Sequence, residues 1–177
     1  MSQSLGAGTT ASGSGTLVLP HGLDQIVATF GDIFDYIAED HTLDPRWQTD
    51  MLQTVPLPFA IPLSWDKSRS VQRITCHKLL AGRCAGVFAS IQSAGLQAKI
   101  VNFGGCFSFR AQRTGAKLSA HAWGIALDLN PESNAQGTIG NMDAGVIAIF
   151  KDAGFTWGGD WQGRVRDPMH FQFCTGY

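Results

Sequence analysis

Two segments of the 177-residue sequence concentrate groups able to do chemistry: SAHAWGIALDLN at 119–130 and WGGDWQGRVRDPMHFQF at 157–173. Between glycines and tryptophans they carry His121, Asp128, Asp160, Asp167 and His170. A hydrolytic zinc site takes three protein ligands, neutral imidazole or carboxylate, and keeps one position open for water. His121, Asp128 and His170 meet that need. His121 and Asp128 lie seven residues apart, so strict strand alternation would aim them at opposite faces. A turn at Trp123-Gly124 must realign them. The competing reading makes His121 a satisfied core histidine and Asp128 a strand-end cap, and it leaves His170 unexplained. Ser119 beside His121 invites a serine-hydrolase reading, but there is no G-x-S-x-G elbow, and a local hydrogen bond that orients the loop suits it better.

Elements must hold these groups in place. Ile125, Leu127 and Leu129 alternate with Ala126, Asp128 and Asn130 as one strand, and Met169, Phe171 and Phe173 alternate with His170 and Gln172 as another. Asp128 and His170 then share a polar face. Leu23, Ile26, Phe30, Ile33 and Ile37 recur at helical steps and predict a helix ending near Asp40. A second short helix is expected over 46–52, followed by the proline-rich VPLPFAIPLSW, which is unfit for a central strand and reads as a wrapping connector. Cys76, Leu80, Cys84, Val87 and Ile91 form a further helical stripe stopped by Gly95. Residues 96–103 read as a strand, and Met142, Val146, Ile149 and Ala153 as a helix capped by Asn141. The expected architecture is α+β, with helices packed on a small, mostly antiparallel sheet. Residues 1–16, rich in Ser, Gly and Thr, read as a flexible arm, 17–62 as a helical and proline-rich wrapping segment, and 63–177 as the domain that carries the chemistry.

Composition removes other classes. With 44% hydrophobic residues, 15% charged residues and a net charge of −1, the chain is globular and is not a basic nucleic-acid module. No apolar run reaches the roughly 20 residues a membrane span needs. The start lacks the basic and apolar regions of a secretory signal, so export by another route is expected. Cys76, Cys84, Cys106 and Cys174 form no C-x-x-C pair, and if Cys76 and Cys84 share one helix they stand about 12 Å apart, too far for a disulfide. His21, His41 and His77 read as surface or core histidines. Trp123, Trp157 and Trp161 either line a groove or pack. Asp160 is a candidate acceptor for a ligand histidine.

The motif S-x-H-x-x-G-x-A-x-D, here Ser119, His121, Gly124, Ala126 and Asp128, is followed by W-G-G-D-W at 157–161 and D-x-x-H-F at Asp167, His170 and Phe171. Together they resemble the zinc D-alanyl-D-alanine carboxypeptidases and L-alanyl-D-glutamate endopeptidases of bacterial peptidoglycan, phage endolysins included, which share a hedgehog-type fold. The resemblance spans about 63–173. It implies one zinc per chain on His121, Asp128 and His170, with Asp167 as the general base that takes a proton from the attacking water. It also implies an arginine that steadies the oxyanion, Arg110 by choice and Arg113 as runner-up. The implied partner is the peptidoglycan stem peptide, reached after holin-type release or as part of a virion. The alternative from another class is a non-catalytic, zinc-containing binding module on the same fold, and a metal-free serine hydrolase is a third.

Overall fold

The computed structural model describes residues 17–113 and 117–177; the expectation of an arm at 1–16 lies outside them. Helix α1, Gly22–Phe30, is shorter than the apolar period predicts. Gly31 takes φ +97°, and the Asp32 side chain then accepts the Phe34 N–H at 3.0 Å and starts a separate 3-10 turn, Ile33–Tyr36. Helix α2 is Arg46–Met51, as expected.

The proline-rich segment corrects the sequence reading. It is a strand, β1 (Leu52–Pro62), paired antiparallel with β2 (Ser70–His77) in a two-stranded ribbon. Among the described residues each strand has one partner, so a proline can turn its missing donor away from the ladder, and the register shifts between Pro56 and Ile61. Cys76 is likewise not on a helix. It lies in β2, and the helical stripe starts at Leu80, in a 3-10 turn that runs into α3 (Ala81–Ser93). Cys76 in β2 and Cys84 in α3 therefore do not share one helix, and the helical-separation argument does not apply to them. All four cysteines are buried free thiols.

The strand expected over 96–103 shrinks to β3 (Phe103–Gly105). Its predecessors are held otherwise: the Val101 and Asn102 N–H groups donate to the Asn130 side-chain oxygen at 2.7 and 3.1 Å. Three more strands, β4 (Ala126–Leu129), β5 (Thr156–Trp157) and β6 (His170–Gln172), complete an antiparallel sheet in the order β3-β4-β6-β5. Helix α4, Ala144–Asp152, is capped by Asp143, whose carboxylate accepts the Gly145 and Val146 N–H groups, and not by Asn141.

One apolar cluster unites these pieces. Phe150 of α4 stacks on Phe171 of β6 with ring centroids 4.1 Å apart, Phe88 of α3 meets Phe150 edge-on, and Phe30 reaches Phe173. Helices therefore cover one face of the sheet, and strand alternation turns Asp128, His170 and Gln172 to the other. The expected α+β architecture stands. No helix among the described residues is long and apolar enough to cross a membrane.

Candidate metal centre

Register brings the first two groups together: Asp128 of β4 lies directly opposite His170 of β6. His121 arrives from a different element, the 3-10 turn Ala120–Trp123, whose N-cap Ser119 accepts the His121 N–H through its hydroxyl at 3.4 Å. That is the orienting role expected of Ser119. The turn closes at Gly124 with φ +70°, and a Cβ there would stand 2.9 Å from the His77 amide nitrogen. A side chain fits neither the conformation nor the space. This is the realignment that the seven-residue spacing demanded.

His121 Nε2 lies 3.3 Å and His170 Nδ1 3.0 Å from Asp128 Oδ1. One ligand atom from each of the three residues falls within 4.8 Å of the others, and all three residues are buried. Bonds of about 2.0–2.1 Å in a tetrahedral shell set ligands about 3.4 Å apart, close to both separations. His121 Nδ1–H donates to the Cys106 carbonyl at 2.5 Å, which leaves Nε2 with a lone pair. Nε2 is buried and has no hydrogen-bond partner among the described residues. Buried polar atoms are seldom left so, and a metal is the partner that this donor set fits. Burial alone would raise the Asp128 carboxyl, but the adjacent His121 and His170 imidazoles outweigh it and hold it below the usual carboxylate range. For His170 burial opposes the charge, and the hydrogen bonds to Asp128 and Gln172 overcome that and raise it.

His170 and Asp167 line a cavity of about 280 Å³, together with Arg110, Arg113, Trp161 and Tyr177 among others. The Asp167 carboxyl is pushed up to about 6, first by burial and further by the Asp128 charge, against the pull of His170 and Arg113. Its Oδ1 is buried with no partner among the described residues. The W-G-G-D-W run explains how Asp167 is held. The Asp167 N–H donates to the Gly158 carbonyl at 2.9 Å, and a Cβ on Gly158 would lie 2.5 Å from the Asp167 carbonyl oxygen. Asp167 in turn accepts the His170 N–H at 3.0 Å, so base candidate and ligand candidate share one turn.

Other candidates disperse. Asp160 pairs with Lys151 at 2.7 Å on the surface, and the acceptors for the two histidines are the Cys106 carbonyl and Gln172. Trp123 is buried with its indole N–H on the Gly31 carbonyl, and Trp157 donates to the Pro168 carbonyl, so of the three only Trp161 faces the cavity. His21 bonds Thr175 at the surface, His41 is exposed, and His77 is buried and satisfied. Both arginines reach the cavity. Arg110 also donates to the Ala111 carbonyl, and Arg113 is the one whose charge acts on Asp167. The Cys106 carbonyl, Gln172 and Tyr177 escaped the sequence reading. Only Gln172 left a signal there, its even spacing from His170 along a strand.

A buried His-Asp-His group beside a cavity with an elevated carboxyl defines a candidate hydrolytic metal centre. Residues 112–173 match the family described as D-alanyl-D-alanine carboxypeptidase, which supports the resemblance drawn from the motifs and a peptidase activity. The matched stretch holds His121, Asp128, Asp167, His170 and Arg113, and it begins just after Arg110. No curated protein matches the chain.

Proposed function

We propose that this protein is a zinc-dependent peptidase that hydrolyses peptide bonds in bacterial peptidoglycan stem peptides. The observation that carries the reading is the buried group His121, Asp128 and His170, with His121 Nε2 unpartnered, next to a cavity lined by Asp167. His121 Nε2, Asp128 Oδ1 and His170 Nδ1 would hold the metal. When bound, zinc supplies Lewis-acid chemistry: it lowers the pKa of a water and polarises a carbonyl. Asp167 accepts the proton of the attacking water and returns it to the leaving amine, a task suited to a carboxyl near 6 because it is ionised at neutral pH yet basic enough to take a proton. Arg110 or Arg113 faces the oxyanion as charge develops on the scissile carbonyl. The L-alanyl-D-glutamate endopeptidase activity is the reading we favour over D-alanyl-D-alanine carboxypeptidase activity, by the resemblance of the W-G-G-D-W run. A phage or prophage lytic role, with delivery by holin-type release or in a virion, completes the proposal.

The test is digestion of purified peptidoglycan with mass spectrometry of the soluble fragments, before and after zinc chelation and add-back. New amino termini at glutamate identify the endopeptidase, and released D-alanine the carboxypeptidase. Activity that survives chelation points to the serine hydrolase, and zinc binding without any release points to the binding module.

A further inference from the structure

Of the two histidines of the metal centre, His121 is oriented by a backbone carbonyl, but His170 is oriented by a side chain that mutation can change. His170 Nε2 lies 2.9 Å from Gln172 Oε1 on the same face of β6. An amide can present either oxygen or nitrogen, and what fixes it here is its other end. Gln172 Nε2 donates to the Cys174 carbonyl at 3.2 Å, and Thr156 Oγ1 donates to the same carbonyl at 2.9 Å, so the acceptor is itself held by a neighbouring strand. With its NH2 committed to Cys174, Gln172 turns its oxygen to the imidazole. An oxygen there accepts only, so Nε2 must carry a proton. Without a metal Nδ1 can donate to Asp128 Oδ1, 3.0 Å away; a metal cation that takes the place of that proton finds the lone pair of Nδ1, with the remaining proton held on Nε2 by Gln172. Gln172 is 4% exposed, at the edge of the cavity that His170 and Asp167 line.

We propose that Gln172 is a positioning residue that sets the Nε2–H tautomer and the ring orientation of His170, and thereby prepares Nδ1 as a metal ligand. The inference rests on the zinc reading above. An outer partner of this kind changes metal affinity by about 10- to 100-fold when removed.

The experiment measures zinc affinity of the whole chain by competition with a chelator for wild type, Gln172→Leu and Gln172→Glu, with melting curves alongside. A second measurement records long-range proton–nitrogen correlations of the His170 ring in zinc-loaded wild type. Gln172→Leu is expected to weaken zinc by about 10- to 100-fold, and Gln172→Glu, which still accepts from Nε2–H, to hold it within a few-fold of wild type. The ring is expected to carry its proton on Nε2. Zinc affinity of Gln172→Leu within about threefold of wild type, equal loss in both variants, or a proton on Nδ1 in wild type overturns the proposal. If Gln172→Leu does not fold, the Glu variant and the wild-type tautomer still decide it. If wild type binds no zinc, the metal reading fails and takes the role of Gln172 with it; if wild type binds zinc and Gln172→Leu binds it equally well, the role of Gln172 alone fails.

Discussion

Two regions of this molecule each bury histidine, and they treat it in opposite ways. At the end of the β1–β2 ribbon, His77 is 1% exposed, its Nε2–H donates to the Phe30 carbonyl at 2.9 Å and its Nδ1 accepts the Leu79 N–H at 3.3 Å. Both ring nitrogens are used. Burial pushes its pKa down to about 4, and the Lys78 charge adds to that against the Phe30 hydrogen bond. In the β4–β6 region His121 is 2% exposed, yet its Nε2 has no hydrogen-bond partner among the described residues, and Asp167 nearby shares that condition. Burial is therefore no guide to role. Saturation is: a histidine whose two nitrogens are satisfied by backbone holds the fold, and one left a free lone pair beside a carboxylate is prepared for a ligand.

The sharpest way to break the contrast is to remove each ring in turn. His121→Ala or His170→Ala should abolish zinc binding and reduce peptide release from peptidoglycan below detection. His77→Ala should keep zinc and the turnover of the folded fraction while losing about 2–4 kcal/mol of stability to a cavity and two stranded backbone groups. Elemental analysis, release assays and denaturant melts read all three. Loss of zinc in His77→Ala, or full zinc in the other two, would end the distinction.

Next in size is Asp167→Asn, which keeps shape and removes the base. Release should fall about 100- to 10,000-fold, roughly 3–5 kcal/mol of barrier, with zinc retained. In the metal-free protein the same change should raise the melting temperature at neutral pH, because a buried and unpartnered carboxylate no longer has to ionise. A rate within about threefold of wild type would show that Asp167 is not the base.

The pH dependence of stability separates the regions again. His77 is lowered from 6.5 to about 4, so its neutral form contributes stability that is full above 6.5 and is lost as pH falls towards 4, by roughly 3 kcal/mol. Asp167 runs the other way. Raised from 3.8 to about 6, its protonated form stabilises the metal-free protein below 3.8, and that contribution is lost as pH rises through about 6. Denaturant melts across pH 4–7 should therefore flatten on the acid side in His77→Gln and lose their decline towards neutrality in Asp167→Asn. Unchanged profiles in both would contradict these assignments.

The smallest effect expected is that of Gly158→Ala. Its Cβ would stand 2.5 Å from the Asp167 carbonyl oxygen, a backbone atom, so the turn must shift at a cost of about 1–3 kcal/mol. Melting temperature and release should drop together, whereas Gly82→Ala in α3, where a Cβ meets nothing within 4 Å, should change neither activity nor zinc.

The ingredients of the site were legible in the sequence because they are local. Ligand-capable residue types, the turn glycine at 124, the three-residue step from Asp167 to His170 and the alternation that puts Asp128 and His170 on polar faces all follow from neighbours along the chain. Local patterns also misled. The apolar period through α1 took no account of the break at Gly31, and the period that drew Cys76 into α3 ran across the end of a strand. The tertiary structure alone decided what lies beside what. Asp128 meets His170 across 42 residues, the Cys106 carbonyl lies 15 residues before the histidine it orients, and Arg110 and Arg113 come together on one cavity. The proline-rich strand, too, needed its partner β2 to become a strand. In each case the deciding group is a hydrogen-bond partner supplied by a distant segment, and a chain's local preferences do not encode which distant segment the core will bring to it.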